Sequence, residues 1–350
     1  MRGATSPRNR YNWRWTLLRL ALASAGAPAR FAALLISAAL FAGCGPDTGS
    51  PVGPDAGLEA GTAVSAAGMG RASHQATNLE FDDFALHVPA NVDNVRGILV
   101  ALGGPDTRGF AVGTPFGAPL PESEASLQEL GVMLRDLAAR RGLAILGVGR
   151  FGPTALPNEP ASDQLLLDAI AEAAALTGRS DLVDAPFLMY GLSGGGPEAT
   201  GFTQRNPERV AALFLRVPSV AGPLTGRALE VPAYMVLAEF DTFVDNGMLT
   251  ATFEAHRAAG APWALALERG VIHFTLTPAT RELIVNWMDA ILPFSAPGGS
   301  IHRRPPQVGW LGDPATGEIA PTRRFDGDPA KASFFPTRPL AAEWAALIGF

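Results

Sequence analysis

The stretch FLMYGLSGGGP, residues 187–197, passes from four large apolar residues into a glycine-rich turn and then to a proline suited to a first helical position. Gly191, Ser193 and Gly195 match the pattern G-x-S-x-G. A serine on a sharp strand-to-helix turn has its hydroxyl pushed out above the sheet. The residues two before and two after it must be small for strand and helix to approach that closely. The same five letters arise by chance in glycine-rich chains, where they mark a turn with no chemistry. A predicted strand before the turn and a predicted helix after it favour the reactive serine.

Outward from this turn, short apolar runs alternate with longer amphipathic ones. Residues 97–102 (GILVAL), 143–148 (LAILGV), 187–190 (FLMY), 210–217 (VAALFLRV), 233–238 (AYMVLA) and 263–267 (WALAL) are predicted strands, apolar enough to be covered on both faces. Helices are predicted over 123–140, 162–177, 197–205, 246–259 and 277–291, with Ser162 as an N-cap and Gly142, Gly178 and Gly260 at chain reversals. Residues 81–88 are expected to form one antiparallel edge strand. The alternation predicts an α/β fold with a mainly parallel, doubly wound sheet.

The GLSGGG turn, the helix after it and Asn206-Pro207-Glu208-Arg209-Val210 leading into the next strand resemble the α/β-hydrolases, and within them the polyhydroxybutyrate depolymerases and feruloyl esterases. At fold level the resemblance runs over about residues 81–293. It implies a serine hydrolase that cleaves small-molecule or polymeric esters through a covalent acyl-enzyme, with no cofactor. The family's chain order is nucleophile, acid, histidine. His273, after the last strand, is then the expected base. His256 reads as a surface residue of an amphipathic helix, and His302 lies in a Pro- and Arg-rich tail. Asp241 resembles the family's acid, with Glu239 and Asp245 as alternatives. The expected oxyanion donors are the N–H of Gly194 and one from the Gly103-Gly104-Pro105 loop. Proline has no N–H, and Gly104 is preferred to Gly103. Where the family has a histidine before these glycines, this chain has Leu102.

The loops 105–122, with Phe110 and Phe116, and 151–160 are expected to line an apolar pocket or else to pack on themselves. Residues 221–230 form at most a small cap.

At the N-terminus, six arginines without an acidic residue precede the apolar run 31–42, which reads as a secretory leader over residues 1–43. About 12 residues reach roughly 18 Å as a helix, short of a bilayer core of about 30 Å. Leu40-Phe41-Ala42-Gly43-Cys44 resembles a bacterial lipobox, which implies lipidation at Cys44 and a membrane-anchored product; a periplasmic or secreted one is the alternative. Residues 44–78, rich in Gly, Ala, Pro, Ser and Thr, are expected to be a flexible linker, 79–296 the catalytic domain, and 297–350 an extension packing back on it. The net charge of −6 offers no basic field for nucleic acid. A single cysteine and five scattered histidines give no metal-site spacing. Two other functions remain open for such a chain: an inactive surface binding protein of the same fold, or a peptidase or thioesterase using the same residues.

Overall fold

The computed structural model describes residues 76–90, 92–149, 158–292, 301 and 308–350. The leader, Cys44, nearly all of the linker, His302 and most of the 151–160 loop lie outside the described residues.

Eight strands form one sheet in the order β1-β2-β4-β3-β5-β6-β7-β8. They are β1 (Thr77–Phe81), β2 (Phe84–Val88), β3 (Gly97–Gly103), β4 (Leu143–Val148), β5 (Phe187–Leu192), β6 (Val210–Arg216), β7 (Ala233–Ala238) and β8 (Trp263–Glu268). β1 pairs β2 and β2 pairs β4 antiparallel; every pair from β4 through β8 is parallel. The order doubles back between β3 and β5, so their C-terminal ends open a crevice where open α/β sheets take ligands. The fold is that of the α/β-hydrolases.

The central strands, apart from half-buried Gly103 at the end of β3, are buried along their length because both faces are covered. One face packs on α1 (Arg108–Val112), α2 (Pro121–Arg141), α6 (Pro278–Ile291) and α7 (Arg338–Ile348). The other packs on α3 (Pro160–Thr177), α4 (Gly196–Arg205) and α5 (Asn246–Ala258). α2 and α3 end on Gly142 and Gly178 in the left-handed conformation, as their sequence predicts.

Two local expectations change, and two that were left open are decided. The edge strand expected over 81–88 is a hairpin, because the chain turns at Asp82, with φ +45°, and Asp83; β1 therefore starts inside the stretch expected to be linker. Ser162 is not an N-cap: α3 starts at Pro160, whose fixed φ suits a first turn, and Ser162 is buried within it. Phe110 and Phe116 do not line a pocket but pack edge-on to each other beneath the sheet, Phe110 also against Tyr190. Residues 226–230 make a single 3-10 turn.

In the C-terminal segment, β9 (Trp310–Gly312) pairs antiparallel with β10 (Ile319–Pro321) and β11 (Ser333–Phe335), and α7 follows. This small sheet was not expected from the sequence. It docks on β8. Ser333 Oγ accepts the Leu265 N–H (3.0 Å) and donates to the Leu265 carbonyl (3.1 Å), to which Trp344 Nε1 also donates (2.7 Å). Arg257 of α5 donates to the carbonyls of Ala332 (2.6 Å), Pro329 (2.8 Å) and Ala261. Burial lowers its pKa to about 10.

Candidate active site

Ser193 follows β5 with φ +52°, a left-handed conformation that L-residues rarely adopt and that costs of order 1–3 kcal/mol. The surroundings enforce it. A Cβ on Gly195 would lie 2.1 Å from the Leu102 carbonyl oxygen of β3, and one on Gly196 would lie 2.4 Å from Pro218 Cβ. One on Gly191 would lie 2.9 Å from Leu215. The Ser193 carbonyl accepts the Ser219 N–H (2.9 Å) just beyond β6. Val217, two residues earlier, also has positive φ (+41°), so the chain bends abruptly to reach that bond. The turn is thus closed from both neighbouring strands.

Ser193 Oγ lies 2.9 Å from His273 Nε2, and His273 Nδ1 lies 2.7 Å from Asp241 Oδ2. The Asp241 carboxylate is buried; its Oδ1 accepts the N–H groups of Phe243 (2.8 Å) and Val244 (3.2 Å), which leaves Oδ2 aimed at the imidazole. The two alternative acids have other partners: Glu239 accepts the Gly270 N–H (2.8 Å), and Asp245 caps α5 through the Met248 N–H (2.9 Å). Neither of those bonds engages the imidazole.

The loop bearing His273 is held largely by side chains from elsewhere in the chain. Ser123 Oγ on α2 donates to the Phe274 carbonyl (2.6 Å). Arg216 Nη2, at the end of β6, donates to the Thr275 carbonyl (2.5 Å) and lies 3.6 Å from Glu268 Oε2. Glu268 Oε1 accepts from the Thr277 hydroxyl, and Thr277 caps α6. Phe240 N–H donates to the Val271 carbonyl (2.9 Å), tying the acid loop to the histidine loop. Arg216 and Glu268 are both fully buried, and the guanidinium Nε and Nη1 have no hydrogen-bond partner among the described residues. These residues sequence reasoning missed. The signal was a lone arginine at the end of an apolar strand run.

Burial lowers the His273 pKa below its ordinary value; the hydrogen bond and charge of Asp241 oppose this, and the Arg216 charge adds to it. The ring is therefore neutral and able to accept a proton near pH 7. Glu198, in the first turn of α4, is pushed by burial up to about 7.

The Gly194 N–H sits at the start of a helical turn, where N–H groups lack intrahelical acceptors. Gly104 lies opposite, its nitrogen 3.9 Å from where a Gly194 Cβ would stand, but its N–H points to the Leu192 carbonyl at 3.3 Å. A substrate oxygen would have to share that donor. His256 is not on the surface: it is buried, stacks on Trp263 with ring centroids 4.3 Å apart, and its Nε2 accepts the Leu224 N–H (2.8 Å). Among the described residues no group of three or more His, Cys, Asp or Glu could hold a metal ion.

No family model matches the chain, and no curated protein matches it in sequence. Solved structures do align with it. S-formylglutathione hydrolase from Agrobacterium tumefaciens is 17% identical with a TM-score of 0.38, over 63% of this chain and 93% of that one. A cold-adapted esterase from an Arctic intertidal metagenomic library is 17% identical, TM-score 0.37, over 62% and 92%. Esterase PE8 is 17% identical, TM-score 0.42, over 59% and 97%.

Proposed function

We propose that the protein is a serine hydrolase that cleaves carboxylic esters. The observation that carries this reading is the unbroken chain of hydrogen bonds from Ser193 through His273 to Asp241, with the serine held in a strained turn. Ser193 Oγ attacks the carbonyl carbon as His273 Nε2 takes its proton. Gly194 N–H receives the developing oxyanion, and Gly104 N–H joins it if it leaves Leu192. Collapse expels the alcohol oxygen, which takes the proton from Nε2. Water then attacks the acyl-Ser193 ester by the same route and releases the acid. Asp241 keeps the imidazole in the tautomer with its proton on Nδ1 and stabilises the imidazolium. An ester, rather than an amide or thioester, is favoured by the sequence resemblance to esterases. Export, with lipidation at Cys44, is proposed from the leader sequence alone.

A fluorophosphonate probe should label the purified protein, and Ser193→Ala should remove the label and lower kcat on p-nitrophenyl esters by about 10⁶. Equal labelling of wild type and variant, or no labelling of either, would overturn the reading.

A further inference from the structure

Three large apolar side chains stand in the open beside the triad. Phe240 and Phe243, on either side of Asp241, are 59% and 56% exposed, and Ile272, immediately before His273, is 45% exposed. The backbone bond from Phe240 N–H to the Val271 carbonyl brings the first and third of these together. Phe243 leans over the catalytic imidazole, its ring centroid 5.1 Å from that of His273 and 5.0 Å from that of Phe274. Two half-exposed phenylalanines leave on the order of 200 Å² of apolar surface uncovered. Placed beside the reacting atoms, such surface is where the apolar part of a bound substrate would be covered.

The chemistry fixes which part of the substrate that occupant is. In acyl transfer the leaving oxygen must reach the imidazole proton, so the alcohol half of an ester lies on the His273 side of Ser193. The carbonyl oxygen lies toward Gly194. Phe243 touches the His273 ring, Ile272 precedes it in the chain, and Phe240 is tied to that loop through Val271.

We propose that Phe240, Phe243 and Ile272 form an apolar shelf that receives the alcohol portion of the ester, so that the preferred substrates are esters of alkyl or aryl alcohols with extended apolar groups. This rests on the serine hydrolase reading and deepens it. The shelf is open on its outer side, so it tolerates long or branched alcohols in place of selecting a single shape.

The test compares two homologous series: acetates of methanol through octanol, and methyl esters of acetic through octanoic acid. Full burial of a methylene corresponds to about a four-fold gain in kcat/KM. Partial cover on an open shelf should give roughly two-fold per methylene along the alcohol series. Phe240→Ser/Ile272→Ser, which keeps Phe243 on the imidazole, should flatten that slope to near one and leave the acyl slope as in wild type. Reading slopes within each variant cancels any change in intrinsic reactivity, and Phe240→Ser alone serves if the double variant does not fold. A flat alcohol series in wild type, an alcohol slope unaltered by the substitutions, or equal losses in both series overturns the shelf. Ser193-dependent turnover with such a result leaves the hydrolase reading standing; hydrolysis that does not depend on Ser193 removes both.

Discussion

The turn at Ser193 and the loop at His273 meet across 2.9 Å, yet they are built by opposite means. The turn is shaped by what is missing: glycines at 191, 195 and 196 let neighbouring backbone and side chains come within distances that a Cβ would forbid. The loop is shaped by what is added from afar, with Ser123, Arg216 and Glu268 each supplying a bond to it or to its exit. Steric fit written into adjacent residues is local and survives in the sequence as a motif. A scaffold of bonds from three separate elements leaves no contiguous trace.

The Ser193 turn is disrupted most severely by Gly195→Ala. The added methyl group would sit 2.1 Å from the Leu102 oxygen, and a backbone atom cannot rotate away. A loss of about 4 kcal/mol or more is expected, with no fluorophosphonate labelling of what remains folded. Denaturant unfolding and labelling of the same sample measure both.

Arg216→Met attacks the other construction. It leaves Glu268 buried without its cation and frees the Thr275 carbonyl, for an expected loss of about 3–5 kcal/mol. Arg216→Met/Glu268→Met should regain much of that stability, since apolar replacements of a buried pair are often neutral. It should not regain activity, because the tethers at Thr275 and Thr277 stay broken. Recovery of both together would show that the pair serves folding only.

The Arg216 charge also acts on the imidazole itself. The imidazole must be neutral to accept the serine proton, and its pKa is lowered in the folded protein. The acid limb of kcat/KM should therefore have its midpoint below about 6.5, the ordinary histidine value. Removing the Arg216 charge, which lowers that pKa, should move the limb to higher pH. A limb that stays in place in Arg216→Met would mean that the guanidinium acts through its hydrogen bond alone.

The smallest expected effect lies in the helix that leaves the turn. The pKa of Glu198 in the folded protein, about 7, stands above the unfolded value near 4.5. Its protonated form is favoured in the fold, so the associated stability is present below pH 4.5 and lost as pH rises through 7. Glu198→Gln should be more stable relative to wild type at pH 8 than at pH 5, by thermal unfolding at each pH.

The same division explains what was legible in the sequence. The strands from β3 to β8 were readable because burial on both faces leaves an apolar run, and Asp241 and His273 followed from chain order once the turn resembled a known family. His256 was misplaced because a histidine beside an arginine on an amphipathic helix looks solvated; here the Leu224 segment and the C-terminal extension bury both. The three-stranded sheet near the end escaped notice because strands of three residues carry no period. Arg216 was visible as a charge in an apolar run, but its partners Glu268 and Thr275 lie 52 and 59 residues further along the chain.

The contact at Leu265 covers an outer edge of the sheet. β8 is the last strand of the large sheet, and the N–H and carbonyl of Leu265 face away from β7 to Ser333 and Trp344. An uncovered strand there would offer a template on which a second molecule could add its own strand. By saturating that backbone pair with a hydroxyl and an indole, the C-terminal segment acts as a stopper on the strand at that point.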